Sequence, residues 1–335
     1  MKKINILVTI PLAHGADQFI NPDIVRQIEE LGPTTWNESG SQFSQDQLRQ
    51  HLKKADVCLT GWGCPCFDAF VLEQANRLKL VAHTGGSVAP IVSDALFDRQ
   101  IRVISGNKLY AESVAEGVIG YLLGALRKIP YYDLDMKKGG WQSDGGGNEG
   151  LLDQTVGLVG FGMVGRYLAQ MLAVFRVKVK VYDPFTTDEI LQEYNAIRVA
   201  SLDDLFASCR IVSIHAPKTP ETYHMIDGRL LKLLPDGAIF VNTARGSLVD
   251  EAALADELRK NRIRAVLDVY ETEPLPADHP FRSSAAALLM PHMAGPTVDR
   301  RPMVTVALIE DIKRFFAGEA LRYEISSQYA RGMTR

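Results

Sequence analysis

Short apolar segments recur along the chain, and a helical pattern follows most of them. Within residues 1–106 these segments read INILVTI, DVCLT, LKLVAH and IRVIS, and from Thr155 onward they read TVGLVG, VKVKVYD, RIVSIHA, AIFVNT, IRAVLDV and ALLMP. Apolar strands that alternate with helices are typical of a parallel sheet covered by helices on both faces. The sequence therefore predicts an α/β fold with two doubly wound parallel sheets.

Capping signals mark two of the helix starts. Asn21 is a cap residue, and it precedes Pro22 at the first turn of a predicted helix. Ser44 and Gln47 make the capping box of a second helix, which we expect to end near Lys54.

The chain of 335 residues is long enough for two domains. We predict one domain from residues 107–297, which opens with a long helix at about 110–128. The glycine-rich segment after that helix, KKGGWQSDGGGNEG, is expected to be mobile or to cover a cofactor. The other predicted domain is discontinuous and joins residues 1–106 to residues 298–335, with a last helix ending near Phe316.

Composition excludes several classes of protein. The chain is 46% apolar and 23% charged, which is typical of a globular protein with a core. Its net charge is −3 and it has no basic stripe, so we expect no nucleic-acid partner.

The four cysteines are too few and too scattered for a disulfide framework. Cys64 and Cys66 form the one close pair, which suggests either a metal or redox site or two small residues in a turn. No second Cys/His cluster follows at ligand spacing, so we favour the turn and expect no metal.

The amino terminus, MKKINILVTIPLAHG, imitates a secretory signal. Asn5, Thr9 and Pro11 interrupt its short apolar run, so a first β-strand explains it better. No other segment is expected to approach the roughly 20 apolar residues of a membrane span. We therefore expect a cytoplasmic protein.

A glycine-rich turn joins a strand to a helix in TVGLVGFGMVG. Gly160, Gly162 and Gly165 have the spacing of a dinucleotide-binding loop, in which they allow a tight turn, close approach of a pyrophosphate and close helix packing. The helix that follows offers free N–H groups to phosphates. Spacing alone is a weak signal, but the strand, the helix and the acid that closes VKVKVYD are all in register.

That acid, Asp183, lies 18 residues after Gly165 and can accept hydrogen bonds from both ribose hydroxyls. Its charge would repel the 2′-phosphate of NADP, and no arginine immediately follows to receive that phosphate. The sequence therefore predicts NAD as the cofactor.

Polar residues follow several strands of the second set, at the sheet edge where ligands bind in such folds. They are Arg245, His215, Asp268, Glu273 and His292. This set suits hydride transfer to a 2-oxo acid. The fork of Arg245 can bind the carboxylate and the carbonyl. His292 can donate a proton to the carbonyl oxygen, and a carboxylate such as Glu273 would favour its imidazolium form.

Alternatives remain for each of these roles. Glu271 lies two residues from Glu273 and could be the partner of the histidine instead. His83, which also follows a strand, is the main rival proton donor, and His215 is more typical of a capping residue than of a catalytic one. The remaining histidines are assigned no role: His14, His51, His224 and His279.

Together these segments resemble the D-isomer-specific 2-hydroxyacid dehydrogenases. The resemblance covers nearly the whole chain and includes, in the family's order, TVGLVGFGMVG, YDP, VSIHAPKTPET, FVNTARGSLVDEAAL, LDVYETEPLP and MPHMAGPT. It implies a flavodoxin-like substrate domain and a Rossmann NAD-binding domain with a cleft between them. It also implies a homodimer, formed largely through the helix at 110–128.

The resemblance implies particular roles for individual residues. The catalytic three would be Arg245, Glu273 and His292, with Glu273 preferred to Glu271. The loop HTGGSV would bind the substrate carboxylate through main-chain amides of Gly85, Gly86 and Ser87. Asp268 would hold the nicotinamide amide. The cofactor would contact Gly160, Gly162, Met163, Val164, Gly165, Asp183, His215, Ala216, Pro217, Thr243, Ala244, Asp268, His292 and Gly295.

Some residues depart from the family's pattern. The loop TGWGCPC carries Trp62 and no arginine, which argues against phosphoglycerate, and Glu273 argues against formate. Trp62 would either cover an apolar substrate group or pack in the core.

We therefore expect an NAD-dependent enzyme that interconverts a 2-oxo acid and a D-2-hydroxy acid. The alternatives are an NAD(H)-sensing protein like the co-repressors of this fold, or a dehydrogenase of another oxyanion such as phosphite.

Overall fold

The computed structural model of the chain describes residues 3–12 and 18–334. The chain divides into two compact units, which we call unit 1 (Met1–Tyr110 with Pro296–Arg335) and unit 2 (Ala111–Gly295). These divisions fall within a few residues of the predicted domain boundaries at 106 and 298.

Unit 1 contains a five-stranded parallel sheet in the order β2-β1-β3-β4-β5. Its strands are β1 (Ile6–Pro11), β2 (Thr34–Asn37), β3 (Val57–Thr60), β4 (Leu80–His83) and β5 (Arg102–Ser105). This is the order of flavodoxin-like folds, as predicted. Strand β1 confirms the interpretation of the amino-terminal apolar run, whereas β2 was not predicted because its four residues lack an apolar run.

Unit 2 contains a seven-stranded parallel sheet in the order β12-β11-β10-β9-β6-β7-β8. Its strands are β6 (Thr155–Val159), β7 (Lys178–Tyr182), β8 (Ala196–Arg198), β9 (Ile211–Ile214), β10 (Ile239–Asn242), β11 (Arg264–Leu267) and β12 (Ala287–Leu289). The chain reverses direction across the sheet between β6 and β9, as in Rossmann folds. The prediction of two doubly wound parallel sheets is therefore confirmed.

Helices cover the sheets. They are α1 (Pro22–Leu31), α2 (Gln45–Leu52), α3 (Ala69–Leu72), α4 (Asp94–Asp98), α5 (Asn107–Leu126), α6 (Ile129–Lys137), α7 (Met163–Ala173), α8 (Asp188–Glu193), α9 (Leu202–Ser208), α10 (Gly228–Leu233), α11 (Glu251–Arg259), α12 (Arg301–Ala317) and α13 (Ser327–Arg331). The Asn21 cap of α1 and the Ser44–Gln47 capping box of α2 are both present, because each side chain accepts a main-chain N–H of the first turn.

Alternate residues of each strand enter the cores on opposite faces of its sheet, as the period of a β-strand requires. In β1, Leu7 packs on one face, whereas Ile6 and Val8 pack on the other. In β10, Phe240 packs on one face and Val241 on the other.

Helix α5 is long and apolar enough to cross a membrane by length and composition, contrary to the expectation that no segment would be. Its residues Ala115, Val118, Leu122 and Leu126 pack into the core of unit 2. A core helix passes the same test, so α5 is weak evidence for a membrane span.

The glycine-rich segment begins where α6 ends, at Lys137. At its end, Glu149 pairs with Arg210 and Arg264, which lie at the amino ends of β9 and β11. The glycine turn of the cofactor loop follows the carboxyl end of β6, at the opposite edge of the sheet. The suggestion that this segment covers a cofactor is therefore wrong for its anchored end.

Candidate active site

Three adjacent parallel strands of unit 2 end close to the predicted site residues. Strand β10 ends at Asn242, β11 at Leu267 and β12 at Leu289. The chain continues from these ends to Arg245, Asp268 and His292, so all three belong to the same edge of the sheet.

The turn after β10 presents Arg245. The Asn242 side chain shapes this turn, since its Nδ2 donates to the Arg245 main-chain oxygen (2.9 Å) and its Oδ1 accepts from the Ala244 amide (3.0 Å). Nη1 of Arg245 donates to the Ala244 carbonyl (2.6 Å). Burial lowers the pKa of Arg245, and the nearby Glu273 carboxylate opposes that shift. A guanidinium remains charged throughout the range in which proteins are folded.

Gly246 allows the loop after β11 to approach this turn. A Cβ at Gly246 would lie 1.9 Å from the Tyr270 carbonyl carbon and 2.1 Å from the Glu271 nitrogen. No side chain could be accommodated there without moving the main chain. The close approach brings the loop that carries Glu273 beside Arg245.

Glu273 and His292 form a hydrogen-bonded pair. His292 Nδ1 lies 2.7 Å from Glu273 Oε2, and Glu273 Oε1 accepts from the Tyr270 amide (3.0 Å). Nε2 of His292 has no partner among the described residues, and the His292 side chain is 48% exposed. The pairing fixes the orientation of the imidazole and leaves Nε2 accessible.

Asp268 holds the loop that carries His292. Its carboxylate is buried and accepts from the amides of Met293 (2.7 Å) and Ala294 (2.9 Å), and its main-chain oxygen accepts from the His292 amide (2.8 Å). Burial raises the pKa of Asp268, and the two amides oppose that shift. His292 has a positive φ of 55°, a conformation uncommon for residues other than glycine, and the three hydrogen bonds hold the loop in it.

The glycine turn fits a dinucleotide. Gly160 has φ 93°, and a Cβ there would lie 2.8 Å from the His215 main chain. No atom lies within 4 Å of the position that a Cβ on Gly162 would occupy, so the surface at this glycine is open to a ligand. A Cβ on Gly165 would lie 2.7 Å from the Gly160 oxygen, so helix α7 packs closely on the turn. Met163 and Val164 open α7, where main-chain N–H groups have no partner within the helix.

Asp183 follows β7 beside this turn. Its Oδ2 accepts from the Phe161 amide (2.6 Å), and its Oδ1 accepts from the amides of Phe185 (2.7 Å) and Thr186 (3.1 Å). These three bonds fix the carboxylate next to the glycine turn, where the acid of a dinucleotide site is required.

An arginine from β8 lies close to Asp183, although none follows it directly in sequence. Arg198 donates to the main-chain oxygens of Asp183 (3.3 Å) and Thr186 (2.8 Å) and to the Asp188 carboxylate (2.6 Å). This contact was not predicted, because β8 was not predicted. Nε, Nη1 and Nη2 of Arg198 each donate one of these hydrogen bonds.

His215 and Thr243 lie after β9 and β10. His215 Nε2 lies 2.9 Å from the Ser213 hydroxyl, and burial lowers its pKa to about 4, so the ring is neutral at pH 7. Thr243 is buried, and its Oγ1 has no partner within the described chain. A buried hydroxyl without a partner is available to form a hydrogen bond with a ligand, as expected for a residue that faces a nicotinamide. Ala216 is buried beside the turn, Pro217 is exposed, and Gly295 ends the His292 loop.

In unit 1, the HTGGSV loop follows β4 and presents main-chain amides. The carbonyls of His83 and Gly85 accept from the Gly106 amide, and the Gly86 carbonyl accepts from the Ser105 hydroxyl. The amides of Gly85, Gly86 and Ser87 have no acceptor among the described residues. The loop therefore offers three free donors, as an anion-binding nest would.

His83 does not suit the role of proton donor. Its side chain is buried, with Nδ1 2.9 Å from the Thr60 hydroxyl. Burial lowers its pKa to about 4, so it is neutral at pH 7. This geometry favours His292 over His83.

Trp62 is not a core residue, because it is 56% exposed. Its ring makes edge contacts with Phe19 (centroids 5.1 Å apart) and Tyr110 (6.3 Å). A Cβ built on Gly85 would lie 3.1 Å from Trp62 Nε1, so the indole nitrogen lies beside the nest.

Glu271 is directed to other partners. Its oxygens lie 3.0 Å from the Tyr223 hydroxyl and 3.1 Å from His224 Nε2. His279 pairs with Glu251, and His51 stacks on Phe43. His14 lies outside the described residues.

Several residues that support the site were not predicted from the sequence. They are Asn242, Gly246, Tyr270 and Gly117. The Tyr270 hydroxyl lies within 3.1 Å of the Leu267 and Met290 carbonyls. A Cβ on Gly117 would lie 3.0 Å from Ala294. A glycine inside an apolar helix, as at Gly117, was the one available signal of close packing.

No disulfide bond joins any of the four cysteines, and no cluster of three or more His, Cys, Asp or Glu side chains in residues 3–12 and 18–334 could hold a metal ion.

The fold and this arrangement of residues define a protein with a dinucleotide-binding α/β unit. The profile described as D-isomer specific 2-hydroxyacid dehydrogenase, NAD binding domain, matches residues 119–294, more than half of the chain. The chain belongs to this family, and unit 2 contains its NAD-binding domain.

Relatives agree with this assignment. The chain is 34% identical over 305 residues to a D-3-phosphoglycerate dehydrogenase of Mycobacterium bovis, covering 88% of this chain and 57% of the relative. It is 29% identical to a hydroxypyruvate reductase of Thermotoga maritima, covering 93% and 98%. An NADPH-dependent glyoxylate/hydroxypyruvate reductase of Sinorhizobium meliloti has the same fold, with a TM-score of 0.77 and 23% identity over 99% of each chain. The chain spans little more than half of the mycobacterial relative.

Proposed function

We propose that the protein is an NAD-dependent oxidoreductase that interconverts a 2-oxo acid and a D-2-hydroxy acid. The observation that carries this proposal is the His292–Glu273 pair, 2.7 Å apart, in the same unit as the glycine turn and beside Arg245. Family membership supports the same activity. Because the chain spans only part of the mycobacterial relative, its activity is inferred from its own residues.

Three residues have separate roles in the reaction of the substrate. Arg245 binds the carboxylate and polarises the carbonyl, because a guanidinium provides two parallel donors of fixed geometry. His292 gives a proton from Nε2 to the carbonyl oxygen during reduction and removes it during oxidation. Glu273 holds Nδ1 and stabilises the imidazolium. The nicotinamide dinucleotide supplies or accepts the hydride.

Other residues hold the reactants in place. The amides of Gly85, Gly86 and Ser87 bind the substrate carboxylate, and the glycine turn binds the pyrophosphate. Thr243 offers its unpartnered hydroxyl to the nicotinamide side, and Asp268 positions the His292 loop. Met163, Val164, Ala216, Pro217 and Gly295 line the cofactor.

NAD is preferred to NADP. Asp183 lies beside the glycine turn, where its charge would repel a 2′-phosphate. Arg198 is a cation near Asp183, and each of its three nitrogens donates a hydrogen bond, two of them to main-chain oxygens and one to the Asp188 carboxylate. The 2′-phosphate would therefore meet the Asp183 carboxylate, while Arg198 is directed to these other acceptors.

We also propose a homodimer in the cytoplasm. A run of exposed apolar side chains follows α5, with exposures of 44–77%, and apolar patches of this kind mark protein interfaces. The run consists of Ile129, Tyr131, Leu134, Met136 and Trp141. The absence of a disulfide bond among the four cysteines suits a reducing compartment. Light scattering after size exclusion should give twice the mass of the chain, and Leu134→Lys should lower it to that of one chain.

The activity is tested by following NADH absorbance with a panel of 2-oxo acids. We expect NADH consumption with at least one acid and a product of the D configuration on chiral chromatography. NADH binding without turnover on any acid would favour the sensing protein. Oxidation of phosphite with NAD, but of no 2-hydroxy acid, would favour the oxyanion alternative.

A further inference from the structure

Two ring nitrogens converge on Gly85 in unit 1. A Cβ built on Gly85 would lie 2.4 Å from His83 Nε2 and 3.1 Å from Trp62 Nε1. Any side chain at this position would collide with the imidazole. The absence of a side chain therefore leaves both nitrogens beside the free amides of the loop.

His83 can act there as an uncharged donor. The Thr60 hydroxyl lies 2.9 Å from Nδ1 and 3.4 Å from the Ala82 carbonyl, so its proton is better placed for Nδ1. Accepting that proton leaves the hydrogen of the neutral ring on Nε2, the nitrogen next to Gly85. No carboxylate contacts His83 in the described residues that would favour its charged form.

Trp62 provides a second uncharged donor. Its Nε1–H has no acceptor among the described residues, although its ring is braced by Phe19 and Tyr110. The Trp62 carbonyl accepts from Gln42 Nε2 (2.8 Å), which anchors the main chain. An exposed indole that is held in place and has a free N–H suits contact with a ligand.

Arg301 is a cation that lies beside this cluster and donates to groups outside it. Arg301 lies over the Phe19 ring (5.9 Å), donates from Nε to the Pro296 carbonyl (3.0 Å), and contacts Gln18 Oε1 through Nη1. The donors identified beside Gly85 are two ring N–H groups and three amides, all uncharged.

We propose that Trp62 and His83 are specificity-determining residues that complete the Gly85–Ser87 nest, and that this uncharged donor set selects 2-oxo acids with a single carboxylate over those with a second anionic group. This inference rests on the proposed function, in which Arg245 is the one cation assigned to the substrate. One cation balances one carboxylate. A second anionic group would lose its hydration without gaining a counter-charge.

The kinetic test compares the wild type with Trp62→Phe, His83→Leu and His83→Gln. For a monocarboxylic 2-oxo acid, removal of the donor in Trp62→Phe or His83→Leu should raise KM about tenfold or more, since a hydrogen bond to a charged group is lost. The value of kcat should stay within a few-fold. His83→Gln keeps an amide N–H near the Nε2 position and should keep KM close to the wild-type value. A purely structural role would instead lower stability and kcat together.

Selectivity provides a second measurement. The wild type should have a kcat/KM for monocarboxylic 2-oxo acids at least about tenfold above that for 2-oxoglutarate or oxaloacetate. Trp62→Arg places a cation at an exposed position and should shift this ratio toward the dicarboxylic acids. Equal wild-type use of both classes, or unchanged KM in Trp62→Phe and His83→Leu, would overturn the inference.

Anion binding separates this inference from the proposed function. Oxamate, an unreactive monocarboxylate, should quench tryptophan fluorescence in the wild type and bind more weakly to His83→Leu, and Trp62→Phe should lose the quench. Quenching with this dependence, but no turnover of any acid, would reject the activity and support the anion site. Turnover with no effect of either substitution would reject the anion site alone.

Discussion

His292 turns Nδ1 toward Glu273 Oε2, 2.7 Å away, so Nε2 is the ring nitrogen left for a substrate. Glu273 is itself fixed by the Tyr270 amide, and the Tyr270–Glu271 peptide lies against Gly246. The acid–base pair is thus oriented by the same loop that approaches Arg245.

Replacement of His292 by Gln should lower kcat for 2-oxo acid reduction by about 10²–10⁴-fold, because the proton donor is removed. The dissociation constant for NADH, measured by fluorescence titration, should change little. His51, which stacks on Phe43 in unit 1, supplies a control, and His51→Gln should keep wild-type kcat. Turnover of His292→Gln within a few-fold of wild type would refute the assignment.

Glu273 and Glu271 make a matched pair of carboxylates. Glu273→Gln should lower kcat substantially, since an amide cannot stabilise the imidazolium as a carboxylate does. Glu271→Gln should have a small effect on kcat, because Glu271 contacts Tyr223 and His224 instead. Steady-state kinetics of both variants decide between the two acids, and a larger loss in Glu271→Gln would reverse the assignment.

Asp268→Asn should weaken the His292 loop. The new amide group can present an N–H to the Met293 or Ala294 amide where the carboxylate accepted a bond, which costs about 1–3 kcal/mol. We expect a lower denaturant midpoint together with reduced kcat. Asp278→Asn alters an exposed acid of the same unit and should change neither quantity. A fully stable Asp268→Asn protein would show that the loop is held by other contacts.

Acid should destabilise the protein through His83. Its pKa is about 4 when folded and about 6.5 when unfolded, so between these values the unfolded chain binds a proton that the folded chain does not. The contribution of His83 to the free energy of unfolding is therefore complete above pH 6.5. It falls by about 3 kcal/mol as the pH decreases to 4, and it then levels off. His215 adds a loss in the same direction.

Denaturant midpoints followed by circular dichroism from pH 4 to pH 8 measure this loss. His83→Gln removes the titrating group and should show a shallower decline than the wild type. Parallel curves for the two proteins would exclude His83 as the source.

Cofactor choice should depend on Asp183. Asp183→Ser removes the charge that faces a 2′-phosphate, so the ratio of kcat/KM for NADH to that for NADPH should fall by about tenfold or more. Asp188→Ala tests whether Arg198 takes part, because it removes the acceptor of the Arg198 Nε–H. An NADPH preference in the wild type would contradict the proposed role of Asp183.

The sequence predicted the elements that carry strong local signals. Apolar strands and the parallel-sheet rule placed Arg245, Asp268 and His292 at one edge, because successive parallel strands end on the same side. Strands β2 and β8 were missed because they are short and lack an apolar run, and with β8 the contact of Arg198 with Asp183 was missed. The role of Gly246 depends on a loop distant in sequence, which local patterns do not report.

The hydrogen bonds between Asp268 and the loop at 292–294 have a further consequence. The loop backbone is secured by groups other than the imidazole itself, so His292 can be exchanged without releasing the segment that bears it. An inactive His292 variant should therefore crystallise with ligands in an undistorted setting. Such a protein would trap an authentic reactant complex for diffraction, which an active enzyme would consume.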